Sequence, residues 1–170
     1  TATATEGDGD TASAVAQIGS AFFFEDDGPQ AAISAAGLSI SHDETPGVDA
    51  DAKDVVGPLA VFAGVTNAGD DLDVAGTVIG YATSTGAISA AGSSTGNDGG
   101  TTVISLDVSS AGVDSGLDTT DGQSILLYKE GALVVGRIGG AAGTAAFALT
   151  ADATTGTVSM VQYLSIKHPT

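Results

Sequence analysis

From residue 13 onward, short apolar segments alternate with clusters of Gly, Asp, Ser and Thr, and no stretch sustains an apolar period of 3.6 residues. That pattern belongs to short strands joined by turns, and it predicts strands at about 13–18, 20–24, 31–40, 55–63, 72–83, 102–109, 123–129, 132–138, 144–150 and 156–166. Many short strands with turn signals between them predict an all-β fold, a β-sandwich. The Ala-rich stretch from Ala82 to Ala91 is the one place where a short helix is the alternative.

Two hairpins are well marked. Ile125 to Tyr128 and Leu133 to Val135 flank Lys129-Glu130-Gly131-Ala132, where Gly131 suits a tight turn. Ala145 to Leu149 and Val158 to Val161 flank Asp152-Ala153-Thr154-Thr155-Gly156, in which Asp152 can bond its own turn backbone. Phe147 and Leu149 alternate with Ala, so one face of that hairpin is expected to be buried. Residues 1–12 read as a linker or a frayed first strand, and 13–170 as a single ligand-binding sandwich. The segment from Gly64 to Thr101 is richest in Gly, Asp, Asn and Ser, and is expected to be an elaborated loop region, where function concentrates.

Charge sharpens this picture. The 170 residues hold 21 acidic and 4 basic side chains, for a formal charge of -17. The basic residues Lys53, Lys129, Arg137 and Lys167 are scattered, which argues against phosphate binding to nucleic acid or to anionic membranes. No apolar run approaches the roughly 20 residues that span a bilayer as a helix. The chain has no Cys, which removes thiol chemistry, Cys-based zinc sites and disulfides together. Thr1 to Asp10 has neither a basic nor an apolar signal region, and a domain excised from a longer protein is the expectation.

An enzyme is not expected. Gly92-Ser93-Ser94-Thr95-Gly96 matches G-x-S-x-G, but a nucleophile elbow needs a strand before it, a helix after it, and His and Asp partners. His42 and His168 are the only histidines and fit no zinc spacing, so both are read as surface or edge residues.

Carboxylate density remains, and it is concentrated beside Gly at predicted strand ends. The clusters are Glu25-Asp26-Asp27-Gly28, Asp43-Glu44, Asp49 with Asp51 and Asp54, Asp70-Asp71 with Asp73, Asn97-Asp98-Gly99, and Asp114 with Asp118 and Asp121. Calcium takes six to eight oxygen ligands from such loops, and D-x-D spacing puts alternate side chains on one side of an extended segment. Calcium is therefore the expected cofactor, with Asp26, Asp27, Asp43, Glu44, Asp49, Asp51, Asp70, Asp71, Asp73, Asn97, Asp98, Asp114, Asp118 and Asp121 as candidate ligands. Neither a complete EF-hand loop nor the G-G-x-G-x-D nonapeptide is present. A plain solvated acidic surface is the competing reading of these residues.

Arg137, the only Arg, is read as a local ion-pair partner for one of the acids, with a bidentate clamp on a ligand carboxylate as the alternative. Tyr81, Tyr128 and Tyr163 are read as strand and core-edge packing, because three tyrosines without Trp make a poor sugar platform.

Several segments in order resemble a known family. They are Phe22-Phe23-Phe24-Glu25-Asp26-Asp27-Gly28-Pro29, Leu38 to Glu44, Gly112 to Leu117, Ser124 to Tyr128, Leu133 to Arg137, Phe147 to Leu149, Asp152 to Gly156 and His168-Pro169. Together they are similar to domains of large repeats-in-toxin adhesins exported by type I secretion, while the stretch from Gly69 to Gly100 departs from the pattern. The resemblance implies a calcium-bound β-sandwich outside a Gram-negative cell, among the distal domains of a fibrous adhesin with other domains of the same protein as neighbours. It further implies capture of the C-terminal carboxylate of a peptide or protein on a host or algal surface. Because Gly69 to Gly100 departs from the family pattern, no ligand contact there is carried over from it; the loop clusters of this sequence, with Arg137 as the alternative carboxylate clamp, make Asp71, Asp73, Asn97, Asp98 and Arg137 the residues expected at such a ligand site. A calcium-rigidified spacer and a calcium-dependent lectin are the alternative functions.

Overall fold

The computed structural model describes residues 1–17, 23, 25, 27–45, 48 and 53–167. The main sheet forms in the chain from Gly80 onward, where large apolar residues cluster within single strands such as Ser124–Glu130 and Leu133–Ile138 and favour the pleated backbone. Its strands are β3 (Gly80–Ala87), β4 (Val113–Asp118), β5 (Ser124–Glu130), β6 (Leu133–Ile138), β7 (Thr144–Ala151) and β8 (Thr157–Gln162). They form one antiparallel six-stranded sheet in the order β3-β8-β7-β6-β5-β4. A separate two-stranded sheet joins β1 (Ala2–Thr5) to β2 (Thr11–Ala14). The only helical element among the described residues is a single 3-10 turn at Ala60–Phe62.

Register lines up the core. Tyr81, Val161, Ala148 and Val135 are successive cross-strand partners, and the last three are completely buried. Irregular chain covers this face: Phe62, with Leu59 and Val65, packs into the same cluster as Leu133, Val135 and Tyr163. The opposite face is covered by another cluster, in which Ile125, Ala146 and Phe147 are joined by Leu164 and Ile166 from the chain beyond β8. Both faces of the central strands are therefore buried, which explains why β6 reads as a nearly continuous apolar run.

The all-β expectation holds. Strands predicted at 123–129, 132–138, 144–150 and 156–166 correspond to β5 to β8, and both marked hairpins form. Gly131 (φ 61°) and Gly156 (φ 71°) take the left-handed conformation that their turns require. The other segments fare differently. Residues 31–40, 55–63 and 102–109 contribute only single bridges or none, because their few large side chains pack onto the sheet as loops instead of pairing with it. Of the stretch considered for a helix, Ala82 to Ala87 belongs to strand β3, whose Tyr81-Ala82-Thr83 pairs with β8 through Val161, Met160 and Ser159, and residues 88–91 are loop with a single bridge at Ser89. Strand β4, absent from the prediction, forms from a Gly- and Asp-rich sequence by pairing with β5. Residues 2–14 form a hairpin with all eight strand residues exposed, and β2 runs across the boundary expected after residue 12.

Both edges of the main sheet are guarded. Outside β3, amides of Val55, Thr83 and Thr85 bond across to Tyr81, Lys53 and Ser39, so segments 53–55 and 39 line that edge. Strand β4 bulges between Asp114 and Asp118, where the Asp114 and Ser115 side chains accept bonds from the Gly116 and Leu117 amides. Beyond the bulge, Lys167 N–H donates to the Asp118 carbonyl at 2.9 Å. The segment beside β3 is itself pinned by His42, whose Nδ1 lies 2.7 Å from Asp54 Oδ1 with both side chains almost fully buried. His42 is thus an interior residue and not the surface or edge residue expected from sequence.

Gly136 sets the spacing between β6 and the ring of Phe147. A Cβ at this position would stand 2.6 Å from Phe147 Cε1 and 2.8 Å from Ile125 Cγ2. Gly136→Ala is accordingly expected to overpack the core and lower stability by about 1–3 kcal/mol. Urea unfolding checks this, and adding Phe147→Leu should recover part of the loss, a coupling that two independent sites would not show.

Candidate functional site

A hollow of about 500 Å³ opens at one end of the main sheet. Its wall is formed by Asp70, Asp71, Leu72 and Asp73 from the loop preceding β3, and by Thr119, Thr120, Asp121 and Gln123 from the β4–β5 turn. Ile138, Thr144, Leu164 and Ser165 complete it. The hollow thus combines four carboxylates with an apolar floor, and Leu72 stands 92% exposed between the acids.

Local hydrogen bonds shape these carboxylates. Asp71 accepts the Asp73 amide at Oδ1 (3.1 Å) and the Ser165 amide at Oδ2 (3.0 Å). Hydrogen bonding from Ser165 and then from Asp73 holds its carboxyl below the ordinary range. Asp121 accepts from the Thr119 hydroxyl and, at 2.7 Å, from Gln123 Nε2, which lower its carboxyl likewise. Both groups are anionic at neutral pH.

The remaining sequence candidates are dispersed. Asp43 closes a turn onto the Thr45 amide, and Glu44 receives Gln162 Nε2 and the Ile166 amide, tying the loop to the chain beyond β8. Asp114 caps Gly116, and Asp118 accepts from the Ser124 hydroxyl at 2.9 Å. Asp27, Asn97 and Asp98 are exposed, and none of them lines the hollow. The structure therefore separates Asn97 and Asp98 from Asp71 and Asp73, the other expected ligand contacts. Asp26, Asp49 and Asp51 lie outside the described residues. Among the described residues, no three His, Asp or Glu side chains stand close enough together to hold a metal ion by themselves.

Arg137 is 1% exposed and faces the interior. Its Nε and Nη2 donate to the two oxygens of Glu130 at 2.6 and 2.8 Å. Nη1 donates to the carbonyls of Thr66 (3.0 Å) and Gly143 (2.7 Å), and Nη2 also reaches Thr66 Oγ1 at 3.5 Å. These contacts use the five N–H donors of the guanidinium, leaving none for a ligand carboxylate. Of the two roles considered for Arg137, the local ion pair is the one this geometry accommodates. The bond to Arg137 lowers the Glu130 carboxyl, and the bond to Glu130 raises Arg137.

Residues 39–170 match the family model DUF5801, a domain of unknown function. The chain belongs to this family. No curated protein and no solved structure matches it. The DUF5801 match spans β3 to β8, the hollow and the Arg137 network, and leaves β1 and β2 outside.

Three DUF5801 residues that shape the hollow escaped the sequence reading: Thr119, Gln123 and Ser165. Asp121-Gly122 is a turn signal and was visible, but what brings Ser165 to Asp71 is the path of the chain after β8, and no local pattern carries that. The partner of Arg137 was not legible either, since the turn at Gly131 and Ala132 pairs Glu130 with Leu133 and sets Arg137 opposite Leu126, so the ion pair runs lengthwise between residues that the register does not align.

Two tests follow from these contacts. Glu130→Gln should lower the unfolding free energy by about 1–3 kcal/mol, as expected for a lost charge-assisted hydrogen bond, and urea midpoints check it. The second concerns pH. Asp43, Asp71, Asp121, Asp152 and Glu130 all have lowered folded-state pKa values, so in acid the unfolded chain binds more protons than the folded one. Their stabilisation is complete above the unfolded-state values and should fade as pH drops below ~5. Urea midpoints between neutral pH and acid should fall accordingly, with a shallower decline in Asp71→Asn.

Proposed function

We propose that this DUF5801 domain is a non-catalytic, extracellular binding module of a repeats-in-toxin type adhesin, and that it takes the C-terminal carboxylate of a peptide through calcium at the acidic hollow. The observation that carries this reading is that Asp70, Asp71, Asp73 and Asp121 all border one hollow at the end of the sheet. The donor set is all hard oxygen, which suits Ca²⁺ and not softer metals. Since no three of these carboxylates stand close enough together to hold an ion by themselves, a ligand carboxylate and main-chain carbonyls are the complement this reading requires. Leu72, Ile138 and Leu164 offer apolar contact for the last side chain of the peptide. The order of family-like segments from Leu38 to Gly156 supports the adhesin context.

A calcium-rigidified spacer is the second reading, favoured by the β1–β2 hairpin. A two-stranded sheet exposed on both faces is marginal alone and suits contact with a neighbouring domain.

Calorimetric titration of the full chain with short peptides, with and without excess EDTA, separates the two. The binding reading expects calcium-dependent affinity, at least tenfold weaker for Asp71→Asn or Asp73→Asn and abolished by amidating the peptide C-terminus. Binding that ignores EDTA or amidation would overturn it. Calcium-dependent melting with no peptide binding would favour the spacer.

A further inference from the structure

We draw no further inference here: the strongest candidate, the β1–β2 hairpin with its alanine face and its hydroxyl face both exposed, carries nothing because no contact in the structure shows what covers it.

Discussion

A buried guanidinium must have its donors met, and Arg137 satisfies that demand by drawing together four stretches of chain. Glu130 at the end of β5, β6 itself, Gly143 before β7 and Thr66 in the preceding loop all converge on it. Removing a charge from water costs several kcal/mol, so the arrangement is tolerable only with every partner in place. The consequence runs onward along the chain. With Thr66 anchored, Asn67 donates to the Ala142 carbonyl, and the amides of Ala145 and Gly69 exchange bonds with Asn67 and Ala145. Gly69 is pressed so close to Leu164 that a Cβ there would come within 2.5 Å of its Cγ. Asp70 to Asp73 follow immediately, so the acidic wall of the hollow is positioned by a cation that never faces it.

The legibility of this chain divides near residue 120, between β4 and β5. Beyond it, large apolar residues alternate over several positions and turns carry Gly where positive φ is needed, so strands β5 to β8 could be read from local pattern. Before it, apolar runs are present but do not mark which segments pair into the sheet. Ile88 and Ile104 bury against Val158, and Phe62 against Val135, contacts whose meaning lies entirely in the sheet they meet. Loops of this kind obey tertiary packing and not periodicity, which is why 31–40, 55–63 and 102–109 looked like strands and β4 did not. The site was half legible on the same terms. Asp70 to Asp73 could be singled out by their spacing, but the grouping with Asp121, and the separation from Asn97 and Asp98, are set by long-range topology.

Several of the acids shape the backbone beside them. Asp8, Asp43, Asp71, Asp114 and Asp152 each accept an amide two residues ahead, the bond that closes an Asx turn. In a chain with little large apolar surface, these side chains supply conformational restraint that loops elsewhere draw from packing. Their number follows partly from the number of turns, and the -17 charge is in that measure a by-product of building many corners.

The guarded edges of the main sheet bear on how copies of the domain coexist. A sheet with bare edges offers unpaired amides and carbonyls to any chain alongside. Here one side is lined by residues 39 and 53–55, and the other is bulged and capped by its own Asp and Ser side chains. The main sheet is therefore closed to edge-to-edge pairing with the main sheet of a neighbouring copy. Mutual repulsion between chains of formal charge -17 acts in the same direction, so backbone geometry and net charge both oppose pairing through the main sheet.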